Sequence, residues 1–178
     1  MPDTMTTEQR HDCMSRVRSE NSGPELTMRR ALWYKGFRYR VNAPRLPGRP
    51  DIVLLRYRTV IFVHGCFWHG HKDCKYYTIP KTNTEFWKAK VARNQERDQE
   101  VWRKLEAKGW SVIIVWECEL KKAKLEETID RVVGAIVRNG EAYRAVQEER
   151  KKAREEYRRE RRERKEKEQS LLEEVKSL

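Results

Sequence analysis

The run His64-Gly65-Cys66-Phe67-Trp68-His69-Gly70-His71-Lys72-Asp73-Cys74 restricts this chain more than any other stretch. Cys66, His71 and Cys74 stand in a C-x4-H-x2-C spacing, and Cys118 arrives right after an apolar run that ends at Trp116. Thiolate and imidazole suit tetrahedral zinc, and four protein ligands make a closed, structural site. His71 and Cys74 are close enough for one loop to chelate, and Cys118 would tie that loop to a sheet. The plain alternative is a surface loop with unrelated thiols. With only four cysteines, scattered at 13, 66, 74 and 118, a disulfide-stapled scaffold is not expected. Cys13 has no partner spacing and reads as a bystander.

The length of 178 residues fits one core-bearing domain. Its formal net charge of +12 points to a polyanionic partner, which means nucleic acid, with charge-based solubility as the bland alternative. No apolar stretch approaches the roughly 20 residues that span a bilayer, and no secretory pattern follows the N-terminal basic residues. A cytoplasmic protein, nucleoid-associated and without membrane contact, is expected. Residues 1–140 hold 27 Lys and Arg against 17 Asp and Glu, while 141–178 hold 13 against 11. The excess charge therefore sits on the part that can fold. From Glu148 to Glu168 there is no apolar stripe to bury, although pairs such as Glu155–Arg159 and Glu160–Arg164 support a helix. The expected organisation is a domain over 1–140 followed by a charged, helical or disordered tail over 141–178.

The first part reads α/β. Pro24–Lys35 has the pattern of a helix with Leu26, Arg29, Arg30 and Trp33 on its mixed face and Gly36 as its stop. Phe37–Val41 alternates as a half-buried strand. Asp51–Leu55 and Thr59–Val63 form a hairpin pattern. A long helix is expected from about Glu85 to Ala107, capped by Gly109, then a buried strand over Ser111–Trp116 and a last helix over Lys124–Val137.

Four zinc ligands leave His64 and His69 over. A histidine beside a carboxylate is a candidate general base near neutral pH. The hairpin would bring Asp51 to the Val63–His64 end and so supply that carboxylate, a loop cap being its alternative role. Phe67, Trp68 and Trp87 read as exposed rings beside basic residues, suited to stacking on bases or wedging between them; from spacing alone they suit a core equally well.

Leu46-Pro47-Gly48-Arg49-Pro50-Asp51, Val60 through His69, Thr84-Glu85-Phe86-Trp87, Asn94-Gln95-Glu96-Arg97-Asp98 and Gly109-Trp110 through Val115-Trp116-Glu117-Cys118 together resemble the very-short-patch-repair (Vsr) DNA mismatch endonucleases. The resemblance runs in order from about Met14 to Leu120 and leaves the tail outside. It implies a restriction-endonuclease-like α/β core, a mixed sheet flanked by helices. It also implies an enzyme that nicks one strand of duplex DNA 5′ to the T of a T·G mismatch left by deamination of 5-methylcytosine, acting as a monomer alongside other repair proteins.

By the same resemblance, Asp51 is the carboxylate for catalytic magnesium, shared with the backbone carbonyl of Val63. Pro50-Asp51 corresponds to the first half of the restriction-type PD-(D/E)xK signature; Phe62-Val63-His64 supplies neither acid nor lysine for the second half. His69 takes the base role with His64 assisting, Glu25 would hold a water of the metal's shell, and Asp98 would orient His69. The zinc ligands fall on Cys66, His71, Cys74 and Cys118. The aromatic wedge falls on Phe67, Trp68 and Trp87 from the major groove, with Met14 approaching from the minor groove. The rival readings are a zinc-stabilised, non-catalytic DNA-binding module and a nicking nuclease of the same fold with another target.

Overall fold

The computed structural model describes residues 20–176, with Thr6, Glu8, Gln9, Asp12 and Ser15 before them and side chains as far as Glu168. Met14 and Cys13 lie outside the described residues. Three strands form one mixed sheet: β1 (Ile52–Leu54), β2 (Thr59–His64) and β3 (Ser111–Trp116). β2 is central, antiparallel to β1 and parallel to β3. A tight 3₁₀ turn over Leu55–Tyr57, closed by Arg58 at φ +50°, makes the hairpin. A parallel pair needs a long crossover, which is supplied by the 24-residue helix α2 (Thr84–Ala107). Gly109, at φ +74°, turns the chain from that helix back into β3. Helix α1 (Gly23–Tyr34) precedes the sheet and α3 (Leu125–Lys176) follows it.

Side chains alternate across a strand, and the two faces of this sheet bury different cores. Ile52, Leu54, Ile61, Ile113 and Val115 pack with Met28 and Leu32 of α1 and with Val132 and Ile136 of α3. Val53, Val60 and Phe62 turn the other way and pack with Leu105 of α2 and with Trp110. His64 continues the Val60–Phe62 series, so it belongs to the face that α2 covers.

Three elements differ from expectation. The buried face of α1 is Glu25, Met28, Arg29 and Leu32, and Leu26 and Trp33 are exposed. Arg29 is drawn inward by a dense set of acceptors rather than by apolar neighbours. Phe37–Val41 makes no strand: Arg40 alone bridges to Val53, the Tyr39 hydroxyl donates back to the Arg29 carbonyl at 2.8 Å, and Asn42 at φ +45° ends the extended run. Helix α3 does not stop near Val137 but continues through Asn139 and Gly140. Gly140 serves close packing there, since a Cβ would stand 2.6 Å from the Tyr57 ring.

The chain divides at Gly140 into two units, 1–140 and 141–178. Within the second, the described side chains from Arg144 to Glu168 are exposed along a helix. Among the described residues no helix is long and apolar enough to cross a membrane.

Candidate functional site

Strand register explains the cysteine cluster. β2 and β3 end side by side at His64 and Trp116, and two residues beyond each end comes a cysteine, Cys66 and Cys118. Their sulfurs, that of Cys74 and one ring nitrogen of His71 all lie within 4.8 Å of one another. The His71 Nδ1 atom is 3.5 Å from Cys66 and 3.4 Å from Cys118. The loop is shaped by its own backbone, with the His71 N–H donating to the Cys66 carbonyl at 3.0 Å. The His71 ring lies flat on Trp116 at 4.1 Å. Burial pushes the Cys66 thiol up to about 12, while the backbone N–H of Tyr76 holds Cys74 below its usual value. Three thiols and an imidazole gathered this closely can hold a metal, and their chemistry fits a four-coordinate, thiophilic cation.

The second cluster lies on the α2 side of the sheet. His69 Nδ1 stands 2.5 Å from the Asp98 carboxylate, and the His64 ring stacks on His69 at 3.7 Å between centroids. In the tautomer that donates Nδ1–H to the Asp98 carboxylate, Nε2 is the ring's acceptor. Burial pulls the Asp98 carboxyl upward, but His69, His64 and Arg97 outweigh it and hold the group below the usual range. Burial, then the neighbouring His69, lowers His64 to about 3, so it is neutral at physiological pH. Its Nδ1 is buried and has no hydrogen-bond partner among the described residues.

Asp51, one residue before β1, accepts the Val63 N–H at 2.7 Å. Burial raises its carboxyl to about 6; the Val63 N–H opposes this and the charge of Glu25 reinforces it. An acid so under-compensated suits a hard cation, which prefers oxygen ligands. Glu25 is itself heavily engaged. It caps α1 by accepting from the Asn21 N–H at 2.9 Å and the Ser22 hydroxyl at 2.8 Å, and it pairs with Arg29 at 3.0 Å. Arg29 in turn donates to Asn42 and to the Asp51 carbonyl. Glu25, Asp51, Val63, His64, His69 and Asp98 all line one cavity of about 420 Å³. A neighbouring cavity of about 540 Å³ shares Glu25, Val63, His69 and Arg97 with it and reaches Trp68 and Lys90.

The aromatic residues are half-buried, not fully exposed as expected. Phe67, Trp68 and Trp87 pack edge-to-face at 5.2–6.1 Å, because rings without a core partner hide their faces on one another. Phe86, which was not singled out, is the exposed member of the group and touches Trp87 at 5.2 Å.

The carboxylate that meets His69 is Asp98, the acid the resemblance named, and not Asp51, to which hairpin pairing pointed. A sequence signal for Asp98 exists: it stands midway between Val91 and Leu105, the other two buried residues of α2, at heptad spacing. Asn94 and Gln95 were also not singled out as site residues, yet they fix the loop that carries His69. Asn94 donates to the Trp68 carbonyl at 2.8 Å, and Gln95 to the carbonyls of His69 and Gly70 at 3.2 Å. Gly70 is required at φ +63°, since a Cβ would meet Gln95 at 2.5 Å.

This is an α/β protein with two side-chain clusters, His64, His69 and Asp98 in a cavity shared with Asp51, and three thiols with an imidazole that could hold a metal. Residues 2–76 match the family described as DNA mismatch endonuclease Vsr. The chain is 48% identical over 137 residues to the type II nicking enzyme V.NmeAIP of Neisseria meningitidis, covering 76% of this chain and 97% of that relative. It is 42% identical over 135 residues to the type II nicking enzyme V.XorIIP of Xanthomonas oryzae, covering 73% and 98%. It is 44% identical over 108 residues to the DNA mismatch endonuclease Vsr of Escherichia coli, covering 61% and 69%. The chain belongs to the Vsr DNA mismatch endonuclease family.

Proposed function

We propose that this protein nicks one strand of duplex DNA 5′ to the T of a T·G mismatch, on a core of restriction-endonuclease type. The observation that carries the reading is the single cavity in which Asp51 faces the His69–Asp98 pair. Phosphodiester hydrolysis needs a base for the attacking water and positive charge near the phosphorus. Asp98 would accept a hydrogen bond from the Nδ1–H of His69 and so fix the ring, which leaves Nε2 to accept a proton from water. His64, neutral and stacked on His69, limits the directions that ring can take. Asp51 and the Val63 carbonyl would hold magnesium, with Glu25 on a water of its shell; when bound, the cation would stabilise charge developing on the phosphorus and the leaving oxygen. Cys66, His71, Cys74 and Cys118 would hold structural zinc and so anchor the loop bearing His69, Phe67 and Trp68.

Phe67, Trp68 and Trp87 would enter the base stack. Unstacking costs a few kcal/mol per step and less at a mismatch, so the wedge discriminates as well as binds. A second reading, a nicking nuclease of the same fold with another target, is favoured by the names of the two relatives at 48% and 42% identity, both type II nicking enzymes. One experiment separates the readings: incubation with magnesium and duplexes carrying each mismatch in several contexts, with every nick mapped. Nicking beside the T of T·G alone supports the proposal. Nicking of another mismatch or of matched DNA establishes the second reading, and binding without any nick establishes a non-catalytic module.

A further inference from the structure

The near neutrality of residues 141–178 averages over a basic centre and acidic ends. Residues 150–167 carry eleven Lys and Arg against five Glu, while the stretches on either side are net acidic. The helix then sorts these charges by face. Arg150, Arg154, Arg158, Arg161, Arg162 and Lys165 follow at i, i+4, i+8, i+11, i+12 and i+15, and all are exposed. At 3.6 residues per turn and 1.5 Å per residue this is one stripe about 120° wide and about 22 Å long. The five glutamates of the segment all fall outside that arc. The ion pairs of this region also lie outside it, Arg159 meeting Glu156 and Glu163, each at 3.9 Å. Among the described residues none of the six stripe residues has an ion-pair partner. Like charges four residues apart weaken a helix, so the stripe carries a cost that an anionic partner would remove.

We propose that this stripe binds the phosphate backbone of a DNA duplex, as a contact surface of its own within the second unit. The proposal rests on the reading that the protein acts on duplex DNA. The match is one of charge and length. A duplex strand presents a phosphate about every 3.4 Å of axis but winds away from a straight helix, so a stripe about 22 Å long can meet the few phosphates on the side it faces. The stripe contains no apolar side chain, so it offers nothing to a lipid interior or an apolar protein groove. Contacts of this kind carry no sequence preference and are steeply salt-dependent.

The test compares two full-length variants that lose equal charge from opposite faces: R154Q/R158Q/K165Q on the stripe and K152Q/R164Q/K167Q off it. Each is titrated against a matched 30-base-pair duplex over a range of salt, with helicity followed by circular dichroism. The stripe variant should lower the slope of log affinity against log salt by about 2–3, and the off-stripe variant should leave it unchanged. A control with R154K/R158K keeps the charge and should bind like the parent, which separates lost contact from lost helix. Equal losses from both faces, or no loss from either, would overturn the proposal. So would a parent chain that self-associates at low salt and a stripe variant that does not, because a second copy would then occupy the stripe. Nicking of a short mismatched duplex by the parent is scored separately: its failure counts against the proposed activity, whereas an unchanged slope counts against the stripe alone.

Discussion

In the proposed reaction Asp51 and His69 would set the chemistry at the residue scale, and they should respond differently to pH and substitution. His69→Ala should lower the nicking rate by about 10²–10⁴, the usual contribution of a positioned general base, and Asp98→Asn should lower it less, since Asp98 acts through His69. Single-turnover rates on a mismatched duplex check this; a His69→Ala protein with parental turnover removes His69 from the base role. Asp51 has a carboxyl raised to about 6 in the fold against an unfolded value near 3.9. A raised acid pKa means the ionised form is penalised in the native state. The penalty is absent below pH 4 and fully present above 6. In magnesium-free buffer at pH 8, Asp51→Asn should therefore be more stable than the parent by up to about 3 kcal/mol. The gap should close as pH falls towards 4, which denaturant unfolding at the two pH values measures. In the same range nicking should fall with acid, with a midpoint at or below the metal-free value of about 6 for the Asp51 carboxyl. Added magnesium should move that midpoint to lower pH, because cation and proton compete for one carboxylate. Rate–pH profiles at two magnesium concentrations decide it.

Among the elements, those with a strong local period were legible in advance and those set by long-range pairing were not. The hairpin of β1 and β2, the helix α2 and the strand β3 follow from β-branched runs, turn residues and Gly109. Phe37–Val41 alternates just as well, yet Tyr39 and Asn42 take it out of the sheet through contacts with α1 and a left-handed turn. The Cys66–His71–Cys74–Cys118 grouping could be read from spacing, but its cause, the parallel register His64↔Trp116, could not. The role of Arg29 was equally hidden, because nothing in α1 alone shows that Asn42 and the Asp51 carbonyl converge on it. The element most dependent on such convergence is the loop from Gly65 to Cys74. Cys118→Ser should lower bound zinc below one per chain, measured on purified protein by elemental analysis, and should lower the melting temperature, because structural metal contributes folding energy directly. A variant that keeps full zinc places the fourth ligand elsewhere. Trp68→Ala, half-buried against two rings, should cost about 1–2 kcal/mol of stability. It should lose roughly 1–3 kcal/mol of binding to mismatched duplex and less to matched duplex, as paired titrations at one salt concentration would record. A loss equal on both duplexes would return Trp68 to a structural role.

Across the whole molecule, charge and chemistry are divided between the two units. Residues 1–140 contain the sheet, both side-chain clusters and a balance of 27 basic against 17 acidic residues. Among the described residues, none after Gly140 contributes a side chain to either cluster. A protein ending at Gly140 should therefore keep its zinc and should nick a mismatched duplex at low salt at a rate within about twofold of the full chain, since phosphate attraction by the first unit is strongest there. As salt is raised, the two proteins should part. The shortened chain should lose binding at a lower salt concentration, because it lacks the arginine and lysine stripe of the helix, and each lost phosphate contact removes about 0.9 from the salt slope. The measurement is nicking and binding of one duplex by both proteins across a salt series, with circular dichroism to show that the shortened chain is folded. A folded, zinc-loaded but inactive protein at low salt would place part of the catalytic requirement in the helix. Identical salt curves would show that the helix adds no phosphate contact at all.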